Sequence, residues 1–293
     1  MSFFKKLFGS GESKPQTTEQ PVKQEESFDT LKYDGIRALR SGQLDFAEQC
    51  FFQALEQEED LEIHDYLSQL YLMRDRLDEA LAEVRIMAEA QPDNLPIRLR
   101  MAHVAFMKED YDTLHESCDA VLSQDGTNVE ALLLLGRAEM AHGQWAQAVE
   151  WLTKGIEAEP RFVDGYLFRG EAYRRQQLFS EAQADVDTLE GMIPDNEDVL
   201  LLKARLTKDQ GDNLAAEQIY GQVIDVNPFC VAAFVERSVV RLALGDQQGA
   251  KEDGDMALSL RPEETVDDGN PQEGIEKKVE ESMRKTAIPW DYH

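Results

Sequence analysis

Residues 242–264 read LALGDQQGAKEDGDMALSLRPEE, and the fold turns on whether the spacing of Gly245, Ala250, Ala257 and Pro262 recurs. A fixed period would set the whole architecture, so repetition is tested before any local reading. Stepping back from Ala250 by 34 residues reaches Ala216, Ala182, Ala148 and Leu114. One more such step, then one of 33, reaches Ala80 and Ala47. Taking these as position 20 gives seven units that begin at Phe28, Leu61, Leu95, Val129, Val163, Glu197 and Val231. Position 8 is then small throughout: Gly35, Ser68, Ala102, Gly136, Gly170, Ala204 and Ser238. Position 24 holds Phe51, Val84, Cys118, Leu152, Val186 and Tyr220, with Gly254 the exception. Proline ends five units at position 32: Pro92, Pro160, Pro194, Pro228 and Pro262.

Helix packing explains the pattern. Each unit reads as two helical segments, such as VDGYLFRGEAYRRQ and FSEAQADVDTLEGM, with a turn near position 15 that carries Gly42, Gly143, Gly211 and Gly245. Small residues at 8 and 20 let two antiparallel helices approach closely, and larger ones at 24 fill the space beside them. Proline cannot continue the second helix and closes the unit.

This pattern of period, small-8, Ala-20, apolar-24 and Pro-32 resembles the tetratricopeptide repeat. The resemblance implies an all-α fold: a right-handed superhelix (an α–α solenoid) of seven helix-turn-helix repeats, closed by a C-terminal capping helix. The repeats are expected at 28–60, 61–94, 95–128, 129–162, 163–196, 197–230 and 231–264. Residues 1–27 are expected to be an amphipathic peptide plus a flexible linker, and residues 265–293 a cap and short tail. Position 7, usually apolar in the family, here carries Asp34, Arg169, Lys203 and Arg237. Asp185 and Asp253 stand at position 23 of units five and seven, so Arg169–Asp185 and Arg237–Asp253 are expected as structural pairs across the helices of their own repeats. Lys203 meets Ile219 at that position and is expected to lack such a partner.

The chain of 293 residues carries 58 acids against 30 Lys plus Arg, a formal charge of −28. That charge opposes general binding to nucleic acid and to anionic lipid. The three cysteines are far apart, the five histidines show no metal-ligand spacing, and no apolar run reaches the ~20 residues of a membrane span. No phosphate loop, paired-His zinc motif, nucleophile elbow or Cys-x-x-Cys appears, and the segments outside the repeats are too short for a catalytic domain. The reading is a cytoplasmic protein without enzymatic activity, metal or cofactor. The N-terminal SFFKKLFG would place Phe3, Phe4, Leu7 and Phe8 opposite Lys5 and Lys6, a candidate contact for a partner or for the inner face of a membrane. Asn270, Pro271 and Glu273 have the form of a helix start, and Ile275, Val279 and Met283 form the stripe of the expected cap.

By the resemblance, positions 2, 5, 9, 12 and 13 of the first helices line a concave wall, and their spacing does put them on one helix face. Position 5 of units three to six is Leu99, Leu133, Leu167 and Leu201. Around this row stand Arg100, His103, Arg137, Arg174, Arg175, Arg205 and Lys208. The first helices of units three to seven hold twelve bases against eight acids, so positive charge gathers on the inner wall of an acidic chain. The expected function is a scaffold or adaptor whose groove holds an apolar partner segment with acidic residues. Two alternatives are weighed. One is a carboxylate clamp for a chaperone C-terminus, for which Lys32 and Arg100 match and Ile36, Tyr66 and Pro96 do not. The other is a membrane-tethered assembly factor that uses FFKKLF.

Overall fold

The computed structural model describes residues 27–260, which divide into two compact units at Arg74/Asp75. The expected N-terminal peptide (Phe3, Phe4, Lys5, Lys6, Leu7, Phe8), the linker and the capping helix lie outside the described residues. The first unit holds α1 (Phe28–Arg40), α2 (Leu44–Leu55) and α3 (Leu61–Met73). The second begins with α4 (Leu77–Ala90), α5 (Leu95–Met107), α6 (Tyr111–Gln124), α7 (Val129–Ala141) and α8 (Trp145–Ala158). It continues with α9 (Val163–Arg175), α10 (Phe179–Met192), α11 (Glu197–Asp209), α12 (Asn213–Val226), α13 (Val231–Leu244) and α14 (Gln247–Ser259). The described residues form helices in consecutive pairs, an α–α solenoid pattern. The unit boundary falls inside the second repeat, where the sequence period gives no sign of it.

Two local signals recur with the repeat. The residue before a first helix is often a side-chain cap: Asp60 accepts from the Glu62 and Ile63 amides, Asn128 from Ala131, and Asn196 from Asp198 and Val199. The second signal is the turn. Position 15 is left-handed in every unit: Gly42, Asp75, Glu109, Gly143, Gln177, Gly211 and Gly245 all have φ between 56° and 92°. Glycine adopts this conformation without steric cost, whereas Asp75, Glu109 and Gln177 are held there by the helices on either side.

The close approach at position 8 is directly measurable. A Cβ added to Gly35 would stand 2.6 Å from the Phe51 ring, and one on Gly136 would stand 2.8 Å from Leu152 Cγ. Position 8 thus makes room for position 24 of the same repeat. At Gly170 the nearest atoms are Leu202 Cδ2 at 2.9 Å, Asp185 Cβ at 3.4 Å and the Ala182 carbonyl at 3.9 Å. Position 20 is buried in every unit, from Ala47 to Ala250. Burying large side chains such as Phe51, Leu152 and Tyr220 supplies about 1.5–3 kcal/mol each, the main stabilising term of such a repeat.

Stacking follows the same logic. In the first unit α3 packs on both α1 and α2. In the second, each second helix packs on the first helix of the next repeat: α4 on α5, α6 on α7, α8 on α9, α10 on α11 and α12 on α13. The first helices also pack on one another directly, α5 on α7, α7 on α9 and α9 on α11. The face they share is therefore one continuous surface.

Candidate functional site

The candidate site is the outer surface of that first-helix layer in the second unit. Residues at positions 2, 5, 9 and 12 succeed one another along each helix: Asp164, Leu167, Glu171 and Arg174 on α9, and Asp198, Leu201, Arg205 and Lys208 on α11. The leucine row is largely withdrawn from solvent. Leu99, Leu167 and Leu201 are buried and Leu133 is half-buried, so the row forms a floor rather than an open apolar strip. Met107, with 54% of its surface accessible, and the half-buried Phe106 and Met140 are among the apolar groups that solvent still reaches nearby.

Most cations of this face are engaged within the chain. Arg174 donates to Glu171 at 2.8 and 2.7 Å and also to Asp209. Burial disfavours its charge, yet these carboxylates outweigh that and push its pKa up. Arg175 lies 3.4 Å from Glu171 and over the Trp145 ring at 5.1 Å. Arg137 lies over the Phe106 ring at 4.4 Å and the Phe168 ring at 5.2 Å. His103 is 2.6 Å from Glu130, and Arg100 is half-buried beside it on α5. Lys208 is half-buried and close enough to Glu236 to favour its ionised form.

Arg205 is placed differently from the sequence expectation. It is 7% exposed and faces the protein interior, where Nε donates to both Glu236 oxygens at 3.0 Å and Nη2 donates at 2.6 Å. The Tyr220 hydroxyl donates to the same carboxylate at 2.9 Å. The cause is the next repeat, whose Glu236 at position 6 draws the guanidinium off the helix face. The twelve-to-eight charge excess therefore does not describe a free positive wall.

The position-7 cations lie deeper. Arg169 donates to Asp185 through Nε and Nη2 at 3.0 and 2.6 Å, and Arg237 donates to Asp253 at 2.9 and 2.7 Å. Arg241 joins the second pair at 3.0 Å. Lys203, expected to lack a partner at position 23 of its own repeat, instead reaches Glu190 of the preceding repeat at 2.7 Å. Sequence reasoning missed Glu236 and Tyr220. An acid at position 6, with an arginine at position 9 of the repeat before it, was the available signal.

Two carboxylates on the face remain. Asp164 and Asp198 stand at position 2 of α9 and α11, both half-buried. Burial pushes the Asp164 carboxyl up, and Arg137 offsets only part of this. Asp198 is pushed up to about 6, first by burial and then by Glu197, with Arg205 opposing and Asp164 adding to the rise.

No group of three or more metal-ligating side chains comes together among the described residues, and none of their helices is long and apolar enough to cross a membrane.

Residues 105–166 and 201–265 each match a tetratricopeptide repeat family model. No curated protein matches the sequence. Among solved structures, a tetratricopeptide repeat protein from Parabacteroides merdae is similar with a TM-score of 0.71 at 18% identity, over 87% of this chain and 98% of that one. PilW, a widely conserved type IV pilus biogenesis factor, gives 0.61 at 18% identity, over 70% and 94%. The C-terminal part of a repeat-containing protein from Cytophaga hutchinsonii gives 0.57 at 15%, over 80% and 96%. At these identities the likeness is one of fold.

Proposed function

We propose, from the premise that this chain is a tetratricopeptide repeat protein, that it is a non-catalytic scaffold which holds a partner segment along the first-helix face of α5, α7, α9 and α11. Repeats of this family generally serve protein–protein interaction. The observation that carries the reading is the direct packing of successive first helices, which lays side chains from four repeats on one surface. A segment in extended or helical form can run across such a surface and touch every repeat. Met107, Met140 and the Arg137 guanidinium lying over Phe106 and Phe168 offer it apolar and aromatic contact.

An acidic ligand gripped by arginine, the expectation from charge counting, has little to hold here. Arg174, Arg175 and Arg205 already face carboxylates, and an incoming acid would have to displace them. The chaperone clamp meets the same obstacle, because Lys32 is engaged by Asp60 at 2.5 Å and Glu62 at 2.7 Å. Membrane tethering rests on residues 2–9, outside the described residues.

The test is selection of displayed 12-residue peptides on the full chain, followed by affinity measurement by fluorescence polarisation. Met107→Glu with Arg175→Glu alters two exposed positions of the face, and helicity should be retained. Loss of binding by the double variant is the expected result. Unchanged affinity would show that peptides bind elsewhere and refute the reading.

A further inference from the structure

The last described helix is open where its counterparts are covered. Positions 20 and 24 sit in the apolar clusters that join α8 to α9, α10 to α11 and α12 to α13. No described helix follows α14, and its side chains register the difference. Position 28 is buried or half-buried in the six earlier repeats (Leu55, Ala88, Leu122, Ile156, Glu190, Ile224), yet Leu258 there is 43% exposed. Position 21 is likewise covered in those repeats and bare at Lys251. On α13, Leu242 at position 12 is 58% exposed, where its six counterparts are buried or half-buried. The deepest gap is at position 24. Six repeats fill it with a fully buried side chain, among them Phe51, Leu152 and Tyr220, whereas a Cβ added to Gly254 meets no neighbouring atom within 4 Å among the described residues. Lys251, Gly254 and Leu258, at i, i+3 and i+7, share one face of α14.

We propose that residues 271–285 of this chain, outside the described residues, seat on this face as a helix with Val279 directed at Gly254. In that segment Ile275, Val279 and Met283 recur at i, i+4 and i+8, the spacing of a single apolar stripe, and Lys277, Lys278, Glu280 and Glu281 fall between them. Residues 261–270 connect it to α14. Ten residues span up to about 35 Å and the helix Gln247–Ser259 is about 20 Å long, so the chain can double back along it. A further repeat in register would place small residues at 272 and 284; Gln272 and Arg284 stand there instead, so the segment does not continue the period. The size relation is reversed: the large side chains come from the segment, and the small ones, Ala250, Gly254 and Ala257, from α14. Seated in this way, the segment covers the apolar surface at the end of the array. The inference does not depend on the first-helix groove.

The experiment uses the full chain carrying Leu258→Cys and a maleimide dye; the three native thiols are buried, so the new one dominates labelling. Labelling should be slow, and Val279→Asp should speed it at least about tenfold with the helicity of the repeats retained. Glu281→Gln, on the opposite side of such a helix, should leave the rate unchanged. Gly254→Leu puts a better helix former into open space, so α14 itself should hold its stability. Amide exchange should nonetheless show residues 271–285 protected in the native chain and released by this variant. Fast labelling without Val279→Asp, or a rate that this change does not alter, would overturn the proposal. So would residues 271–285 that stay protected in Gly254→Leu. Protection at position 258 that fades on dilution would assign the face to a second copy of the chain and overturn it as well.

Discussion

Glu236→Gln separates an arginine that supports the fold from one that waits for a ligand. Glu236 is 7% exposed and receives two groups, the Arg205 guanidinium through contacts at 2.6 and 3.0 Å and the Tyr220 hydroxyl at 2.9 Å. An amide of the same shape removes the counter-charge and leaves Arg205 buried with a poorer acceptor. Breaking one side of a buried ion pair typically costs about 3–5 kcal/mol. The weakened Tyr220 bond belongs to the same loss, so about 4 kcal/mol is the expected destabilisation. Replacing the whole cluster with Arg205→Met, Glu236→Leu and Tyr220→Phe leaves no polar group behind, and its cost should fall to about 1–2 kcal/mol or less. Urea unfolding followed by circular dichroism measures both. Repeat arrays can open in parts, so amide exchange across α11–α13 should show the loss locally. A cost below about 1 kcal/mol for Glu236→Gln, or a triple variant as damaged as the single, would refute the structural role of Arg205. Loss of peptide binding by a fully folded triple variant would return Arg205 to the ligand.

Three further outcomes are expected. The Asp198 carboxyl is pushed from 3.8 to about 6, so it weakens the fold above pH 6 and has no effect below its unfolded value. Asp198→Asn should therefore raise stability at pH 7.5, by about 1 kcal/mol once solvent screening is allowed for, with the gain fading as pH falls toward 4; a gain independent of pH in thermal melts would contradict this. Gln177 holds φ at 61°, so Gln177→Gly should raise the urea midpoint by about 0.5–1 kcal/mol in free energy, and a loss would show that its side chain matters more than its backbone. Cys50, Cys118 and Cys230 are buried, and burial pushes the Cys118 and Cys230 thiols up to about 12. A disulfide reagent should leave all three untouched in the native chain and modify them on unfolding; rapid native labelling would place a thiol at the surface.

The repeat register was legible because the forces behind it act within one unit. Gly136 must make room for Leu152, and Gly143 must turn left-handed, at fixed distances along the chain. The Arg169–Asp185 and Arg237–Asp253 spacings are local in the same sense, sixteen residues apart on facing helices. Contacts between repeats were not legible. Arg205 finds Glu236 thirty-one residues away, and Lys203 finds Glu190 across the preceding turn. Both need the stacking geometry as well as the period. Charge counting failed at the candidate site for that reason: it registered twelve cations without their partners. Position 15 was half visible, since glycine marks four of its seven left-handed turns and Asp75, Glu109 and Gln177 mark the others silently.

The central claim is that a partner lies on the first helices and not on the second. A photo-reactive phenylalanine analogue at Met107 or Met140, set against the same analogue at Glu157 on α8, tests it with the selected peptide. Crosslinks from positions 107 and 140, competed by unlabelled peptide and absent at 157, are predicted. Equal or stronger crosslinking from position 157 would contradict the account.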